Sequence, residues 1–333
     1  MVNKQILSVN ELEAGVKMLA DRMGKVINPG IFTGKTVNMT IEEAAKRPIP
    51  RQLWHELWFE NELCILYADT NLGKSIYAVM VADKISQDEK VVFFDFELTD
   101  KQFQIRYSDE NGNSHHFSDN LYRFEINSDG DFSDDIETQI NDSMKSVIEM
   151  TGAKVIIVDN LTYLCVETEK AKSALPLMKS LKNLKNKYGL SILCLAHTPK
   201  RNLSNPITRN DLAGSKTLIN FCDSAFAIGE SARDKSIRYV KQIKSRNSEI
   251  KYDSGNVILY QIIKENGNFL KFDFIDYGSE REHLKETSEK DKKALEVNVI
   301  ELHRQGKTLR EIGLEVGISH MTVGRILKHK SNV

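Results

Sequence analysis

Residues 68–75 constrain this chain more than any other segment. In Ala68-Asp69-Thr70-Asn71-Leu72-Gly73-Lys74-Ser75, a small residue and four variable positions lead into Gly-Lys-Ser, directly behind the apolar run Leu63-Cys64-Ile65-Leu66-Tyr67. Residues 76–82 (Ile-Tyr-Ala-Val-Met-Val-Ala) continue as a helix, so the eight residues form a strand-to-helix turn. The residue types fit a cradle for a phosphate chain. Gly73 lets backbone approach an anion without a side-chain clash. The N–H groups that open the helix face that anion, and the helix dipole favours negative charge there. Lys74 is expected to reach the β- and γ-phosphates and the Ser75 hydroxyl to ligate Mg²⁺, which makes ATP with Mg²⁺ the expected cofactor. Ala68 occupies a position where the strict pattern has Gly.

Length and charge bound what surrounds this loop. A chain of 333 residues accommodates one large α/β domain and a small module. The net charge of −1 gives no global field toward nucleic acid or membrane. Residues 303–333, however, carry Arg304, Lys307, Arg310, Arg325, Lys328 and Lys330 against only Glu311 and Glu315. The four cysteines, Cys64, Cys165, Cys194 and Cys222, are scattered without a C-x-x-C pair and read as small buried hydrophobes in a reduced compartment. No stretch approaches the ~20 apolar residues of a membrane span, and the N-terminus lacks a signal-type core, so a cytoplasmic location without membrane contact is expected.

Along the chain, Leu12, Val16, Leu19 and Met23 give helical spacing over 8–25, closed by Pro29-Gly30, and a second short helix is expected from Thr40. Strands and helices then alternate. The expected strands are 63–67, 91–96, 155–158, 192–196 and 224–228; the helices between them follow the loop to about 86 and lie near 136–150 and 174–188. Continuous apolar strands alternating with helices predict a parallel sheet covered on both faces. Residues 110–135 read as polar excursions at the sheet's edge. Residues 237–277 read as antiparallel β-structure (238–244, 257–264, 269–275), with Asn266-Gly267 as a hairpin turn.

Three polar residues close the apolar strands. Asp159 ends Lys154-Val155-Ile156-Ile157-Val158, where an open α/β sheet places its ligands, and is the expected metal carboxylate. Glu97 follows Phe93-Phe94-Asp95-Phe96 and suits a base that polarises water. His197 ends Ile192-Leu193-Cys194-Leu195-Ala196 and points at the same edge.

These segments together with Glu97-Leu98-Thr99, Gln102 and Arg106, and Cys194-Leu195-Ala196-His197-Thr198-Pro199-Lys200, resemble the RecA-like P-loop ATPase core in its DnaB- and RepA-type hexameric helicase branch. Asn210-Asp211-Leu212-Ala213-Gly214-Ser215-Lys216 through Asp223-Ser224-Ala225, and Lys244-Ser245-Arg246-Asn247, are similar to later stretches of that core. The likeness spans roughly residues 50–275; the helicases' N-terminal primase-interacting domain is absent or reduced to the helices before Pro48. It implies a RecA-like fold, Glu97 activating water, His197 sensing the γ-phosphate, and Lys244 with Arg246 reaching across a subunit interface. The implied self-partner is a hexamer or other ring or filament. The loop from Lys200 and Arg201 to Arg209 is long, basic and structureless by sequence, a position where such rings grip single-stranded DNA in a channel.

The last forty residues read as a separate unit of three helices: 299–305 closed by Gly306, a second opening with the capping box Thr308-Leu309-Arg310-Glu311, and a third from Ser319 to Leu327 after the turn at Gly317. This string resembles the helix-turn-helix of resolvases and invertases. The resemblance implies that the third helix enters the major groove of duplex DNA, offering Ser319, His320, Met321, Thr322 and Arg325. The expected organisation is an N-terminal helical extension (1–50), a RecA-like α/β domain with a β-hairpin extension (51–278), a charged linker (279–294) and a small all-α DNA-binding domain (295–333). The expected function is a DNA-dependent ATPase, a ring-forming helicase or translocase of a plasmid, phage or transposable element. The alternative is a non-translocating ATP-switched DNA-binding regulator or recombination accessory ATPase. A transcription factor with a degenerate ATPase fold conflicts with Lys74, Glu97 and Asp159 all being present.

Overall fold

The structure is a computed structural model and describes residues 31–333 apart from 128, 131–135, 165–170, 200, 213–214, 287–288, 317, 319 and 332–333. The helix expected over 8–25 lies outside these residues. The chain divides into two units, Met1–Pro50 and Arg51–Val333. The described part of the first unit holds helix α1 (Val37–Ala45), whose amino end is capped by Thr36 accepting from the Met39 N–H at 3.2 Å.

The second unit opens with a small antiparallel pair, β1 (Gln52–Trp54) and β2 (Trp58–Phe59). The main elements follow: β3 (Leu63–Ala68), α2 (Lys74–Ser86), β4 (Val91–Asp95), α3 (Asp100–Arg106), β5 (Leu121–Phe124), α4 (Ile136–Thr151), β6 (Val155–Asp159), α5 (Leu161–Leu164), α6 (Ala171–Tyr188) and β7 (Ser191–His197). After them come α7 (Ser215–Phe221), β8 (Ser224–Glu230), β9 (Ile237–Lys244), β10 (Val257–Glu265), β11 (Phe269–Gly278), α8 (Glu280–His283), α9 (Glu289–Arg304), α10 (Leu309–Val316) and α11 (His320–Ser331).

Nine strands form one sheet in the order β11-β10-β9-β8-β3-β7-β6-β4-β5. From β8 to β5 all pairings are parallel; β9, β10 and β11 add antiparallel strands at one side. The expected α/β class, with a parallel sheet under helices on both faces, a hairpin extension and a small C-terminal helical segment, is what the chain adopts. The physical reason is visible in β3, whose six residues are all buried. Leu63, Ile65 and Tyr67 face a core built with α4, α6 and α7. Cys64, Leu66 and Ala68 face a second core built with α2 and the β10–β11 hairpin. At ~1.5–3 kcal/mol per fully buried large apolar side chain, neither face tolerates water. Three residues, Asn266, Gly267 and Asn268, connect β10 to β11, and the first two take the left-handed φ of 53° and 78°.

Where sequence and structure part, long-range pairing is the cause. Residues 110–135 are not only excursions: β5 lies within them as the sheet's last parallel strand, paired from Leu121↔Val91 to Phe124↔Phe94. Residues 279–294, expected as a charged linker, begin with α8, whose Glu280 is completely buried. The helix expected at 299–305 starts ten residues earlier, at Glu289, because Leu295 and Val299 join the small core formed with Leu302, Ile312 and Val323. Within that unit Gly313 is packed so tightly that a Cβ there would lie 2.7 Å from the Ile318 carbonyl oxygen. Ile318, between α10 and α11, therefore lies directly over a position that glycine alone fits without displacement.

Candidate active site

The carboxyl ends of β3, β4, β6 and β7 converge, and each delivers one of the expected side chains. Because β7 lies between β3 and β6, His197 sits between the strand that feeds Lys74 and the strand that ends in Asp159. The turn from β3 to α2 is held in shape by Asn71 at φ 63° and Gly73 at φ 90°. Gly73 is required twice over: a Cβ there would also lie 2.9 Å from the Phe272 ring and 3.0 Å from Ile262 of the hairpin. Ala68, at the strict pattern's glycine position, is the last residue of β3 and needs no positive φ.

Lys74 is buried and folded over its own loop. Its ammonium donates to the carbonyl oxygens of Ala68 and Asp69, both at 3.1 Å, and lies 3.3 Å from His197 Nδ1. An ammonium has only donors, so Nδ1 is the acceptor and the imidazole proton sits on Nε2. Burial lowers the Lys74 pKa, while Asp159, Glu97 and Asp69 pull it back up. All three ammonium protons are engaged, so a phosphate chain binds by exchange for these partners.

Nε2 of His197 lies 3.4 Å from Glu97 Oε1. The Asn160 side-chain amide also donates to Glu97 Oε1, and its nitrogen is 3.2 Å from Nε2. Two donors therefore converge on one Glu97 oxygen, and the His197 hydrogen bond is the main reason the Glu97 pKa falls below the ordinary value. With its pKa lowered, Glu97 is an exposed carboxylate fit to accept a proton from water.

Asp159 is buried, and neither carboxylate oxygen has a hydrogen-bond partner. Burial pushes its pKa up to about 7, with the nearby Ser75 hydroxyl favouring the charged form and Glu97 opposing it. A buried carboxylate with two vacant acceptors beside a hydroxyl is the donor set of a hard divalent cation such as Mg²⁺. Among the described residues no group of three or more His, Cys, Asp and Glu side chains could hold a metal.

Sequence reasoning missed two contributors. Asn160 closes the segment Ile156-Ile157-Val158-Asp159-Asn160 that carries the resemblance, but was given no role. Asp95 is an acid inside an apolar strand; it accepts from the N–H groups of Glu97 and Leu98 at 3.1 and 3.0 Å and is held by Arg123 at 2.9 Å. It thereby fixes the turn that carries Glu97.

The other expected site residues lie elsewhere. Lys244 pairs with Ala225 at the amino end of the parallel strands, opposite the phosphate loop, and donates to the carbonyls of Ile219 and Cys222 at 2.6 and 2.7 Å. Arg246 donates to Asp223 at 3.1 Å and to the Asn220 carbonyl at 3.3 Å. Neither is within reach of this chain's own Lys74.

The loop after β7 is not structureless. Thr208 and Asp211 form a capping box around a 3-10 turn, Arg209–Asp211, and the loop is pinned at Ile207. The Ile207 N–H donates to Glu280 at 2.7 Å, and Lys241 donates both to the Ile207 carbonyl at 2.7 Å and to Glu280 at 2.6 Å. Arg201 is half-buried, donating to the Asn205 carbonyl at 2.9 Å, and Arg209 is exposed. On α11, His320, Met321 and Arg325 are exposed and Thr322 is half-exposed. Lys200 and Ser319 lie outside the described residues. Among the described residues no helix is long and apolar enough to cross a membrane.

The family model described as AAA domain matches residues 35–202, just over half of the chain, taking in the phosphate loop, Glu97, Asp159 and His197. No curated protein matches the chain.

Proposed function

The chain belongs to the AAA-domain family, and from that premise we propose that it is a ring-forming, DNA-dependent ATPase that moves along or opens DNA for a mobile genetic element. AAA-type P-loop domains bind ATP with Mg²⁺, and magnesium held by Ser75 and Asp159 would neutralise phosphate charge. The observation that carries the hydrolytic part is the meeting of Lys74, Asp159, Glu97 and His197 at one sheet edge. Lys74 takes the phosphate chain when it gives up Ala68, Asp69 and His197. Glu97, ionised and aligned by two donors, receives the proton of the attacking water. His197 is then free to report the γ-phosphate through the ring nitrogen that Lys74 vacates.

Ring formation rests on Lys244 and Arg246. Both lie at the far end of the strands from their own phosphate loop, so a catalytic role requires a second copy. DNA binding rests on the basic surplus of residues 303–333 and on Gly313, whose tight packing under the turn suits a helix-turn-helix. The test is the steady-state ATPase rate of the wild type and Lys74→Ala without DNA, with single-stranded DNA and with duplex. Stimulation by single strands that is lost in Lys74→Ala supports the motor. Hydrolysis indifferent to single strands refutes it.

One observation favours a second reading, an ATP-switched DNA-binding regulator. The loop expected to grip DNA is tied at Ile207 by Lys241 and Glu280 and shows Arg209 as its exposed cation among the described residues. A chain ending at Glu286, which keeps Glu280, separates the two. Retained stimulation by single strands means the motor, and loss of every DNA response with the tail means the switch.

A further inference from the structure

Glu97 has two side-chain partners, His197 and Asn160, and the first of them also touches Lys74. His197 lies between Lys74 and Glu97, at 3.3 and 3.4 Å, so any rearrangement of Lys74 onto phosphate changes what His197 holds. Asn160 is different. It is buried at the end of β6, and its amide orientation is fixed from both sides. Its Oδ1 accepts from the Tyr163 N–H of α5 at 3.3 Å, and its Nδ2 donates to Glu97. Turning the amide over would set a carbonyl oxygen against the Glu97 carboxylate and an NH₂ against an N–H.

We propose that Asn160 is a positioning residue for hydrolysis, the fixed tether that keeps the Glu97 carboxylate aimed at the attacking water while His197 moves between its partners. This rests on Glu97 being the base that activates water. Asn160 does not touch the phosphate chain in this scheme: it acts on rate and leaves nucleotide affinity alone. A misplacement of a catalytic group by about 1 Å costs on the order of 100-fold in rate, and Asn160 is what prevents it. The neighbouring Asp95 fixes the Glu97 backbone through its two N–H groups, so the tether controls the side chain and the aspartate the turn.

The experiment uses the full chain with Mg-ATP for turnover and a fluorescent ATP analogue for binding. Asn160→Ala and Asn160→Asp both lack the amide donor; the second keeps the size and the acceptor for Tyr163, which guards against a collapsed site. Both are expected to lower kcat on the order of 10–100-fold while KM and analogue affinity stay within about twofold, a split that loss of fold would not give. Combined with Glu97→Gln, Asn160→Ala is expected to add no further loss. Wild-type kcat in both Asn160 variants beside an inactive Glu97→Gln overturns the tether and leaves the base assignment standing. Losses that multiply in the double variant overturn it too, because Asn160 would then act independently of Glu97. Full hydrolysis by Glu97→Gln alone overturns the base assignment, and the tether with it.

Discussion

Lys241→Met is expected to destabilise the sheet domain by ~3–5 kcal/mol, the cost of leaving one member of a buried ion pair without its partner. The structure sets that scale. Glu280 is fully buried and accepts from Lys241 at 2.6 Å, Ser254 at 2.9 Å and the Ile207 N–H at 2.7 Å; Lys241 is itself 8% exposed. Without Lys241 the carboxylate keeps two neutral donors and no countercharge, and the Ile207 carbonyl loses its donor as well. The double change Lys241→Met with Glu280→Gln removes both charges, while the new amide oxygen can still accept from the Ile207 N–H. The double variant is therefore expected to lose less than either single one, with a coupling of ~1–3 kcal/mol. Urea unfolding followed by tryptophan fluorescence reads this domain alone, because Trp54 and Trp58 are the chain's only tryptophans. The midpoint is expected to fall at unchanged slope. Trypsin is expected to cut faster at Arg201 and Arg209 in the single variants, since the loop they occupy is what the pair pins. A single variant within about 1 kcal/mol of wild type, or a double variant worse than both, would refute the reasoning.

Three further outcomes follow from the geometry. Gly73→Ala places a Cβ 2.9 Å from Phe272 at φ 90°. It is expected to cost at least ~1–3 kcal/mol in the same urea assay and to weaken ATP-analogue binding; unaltered binding would show that the loop is not packed as described. Gly313→Val would press a side chain on the Ile318 carbonyl. It is expected to unfold the C-terminal helices and abolish their duplex binding while DNA-free ATPase stays at the wild-type rate, checked by electrophoretic shift and turnover on one preparation. Glu62 is buried, Oε1 has no partner, and burial raises its pKa above the usual 4.5. The folded state thus binds the proton more tightly. That stability is full below the unfolded value and is lost as pH rises through the folded one. Glu62→Gln is expected to gain on wild type in urea midpoint from about pH 4.5 upward, and a pH-independent difference would contradict the shift.

The parts legible in the sequence were those whose chemistry is local. The phosphate loop announces itself by Gly-Lys-Ser between two apolar elements, and Asn266-Gly267 announces the hairpin by residue types that readily take the positive φ found there. Asp159, Glu97 and His197 were found because each ends an apolar run. What stayed hidden depends on residues far along the chain. Strand β5 is four residues, Leu121–Phe124, with no apolar run to mark it, and it exists because β4 offers an open edge. Arg123 on it looks like a surface charge until buried Asp95 is placed beside it. The loop after His197 reads as structureless because its anchor, Glu280, comes 73 residues after Ile207. Asn160 stands in a segment that carries the resemblance, but nothing local gives its role; its meaning lies in one carboxylate and one imidazole brought from two other strands.

The contact of Gly73 with Phe272 and Ile262 has a consequence for how the protein is made. The phosphate loop is encoded early, whereas the hairpin that packs against it is encoded almost at the end of the sheet domain. During synthesis from the amino terminus, a ribosome has released the loop and α2 well before either hairpin residue emerges. Until then the helix face bearing Tyr77, which later meets Phe272 edge-on at 5.1 Å, has only the earlier Trp54 against it. The packing that backs the phosphate loop is therefore completed late in the life of the nascent chain. A transcript broken before residue 272 yields a product that carries every residue of the loop and lacks the wall the loop leans on.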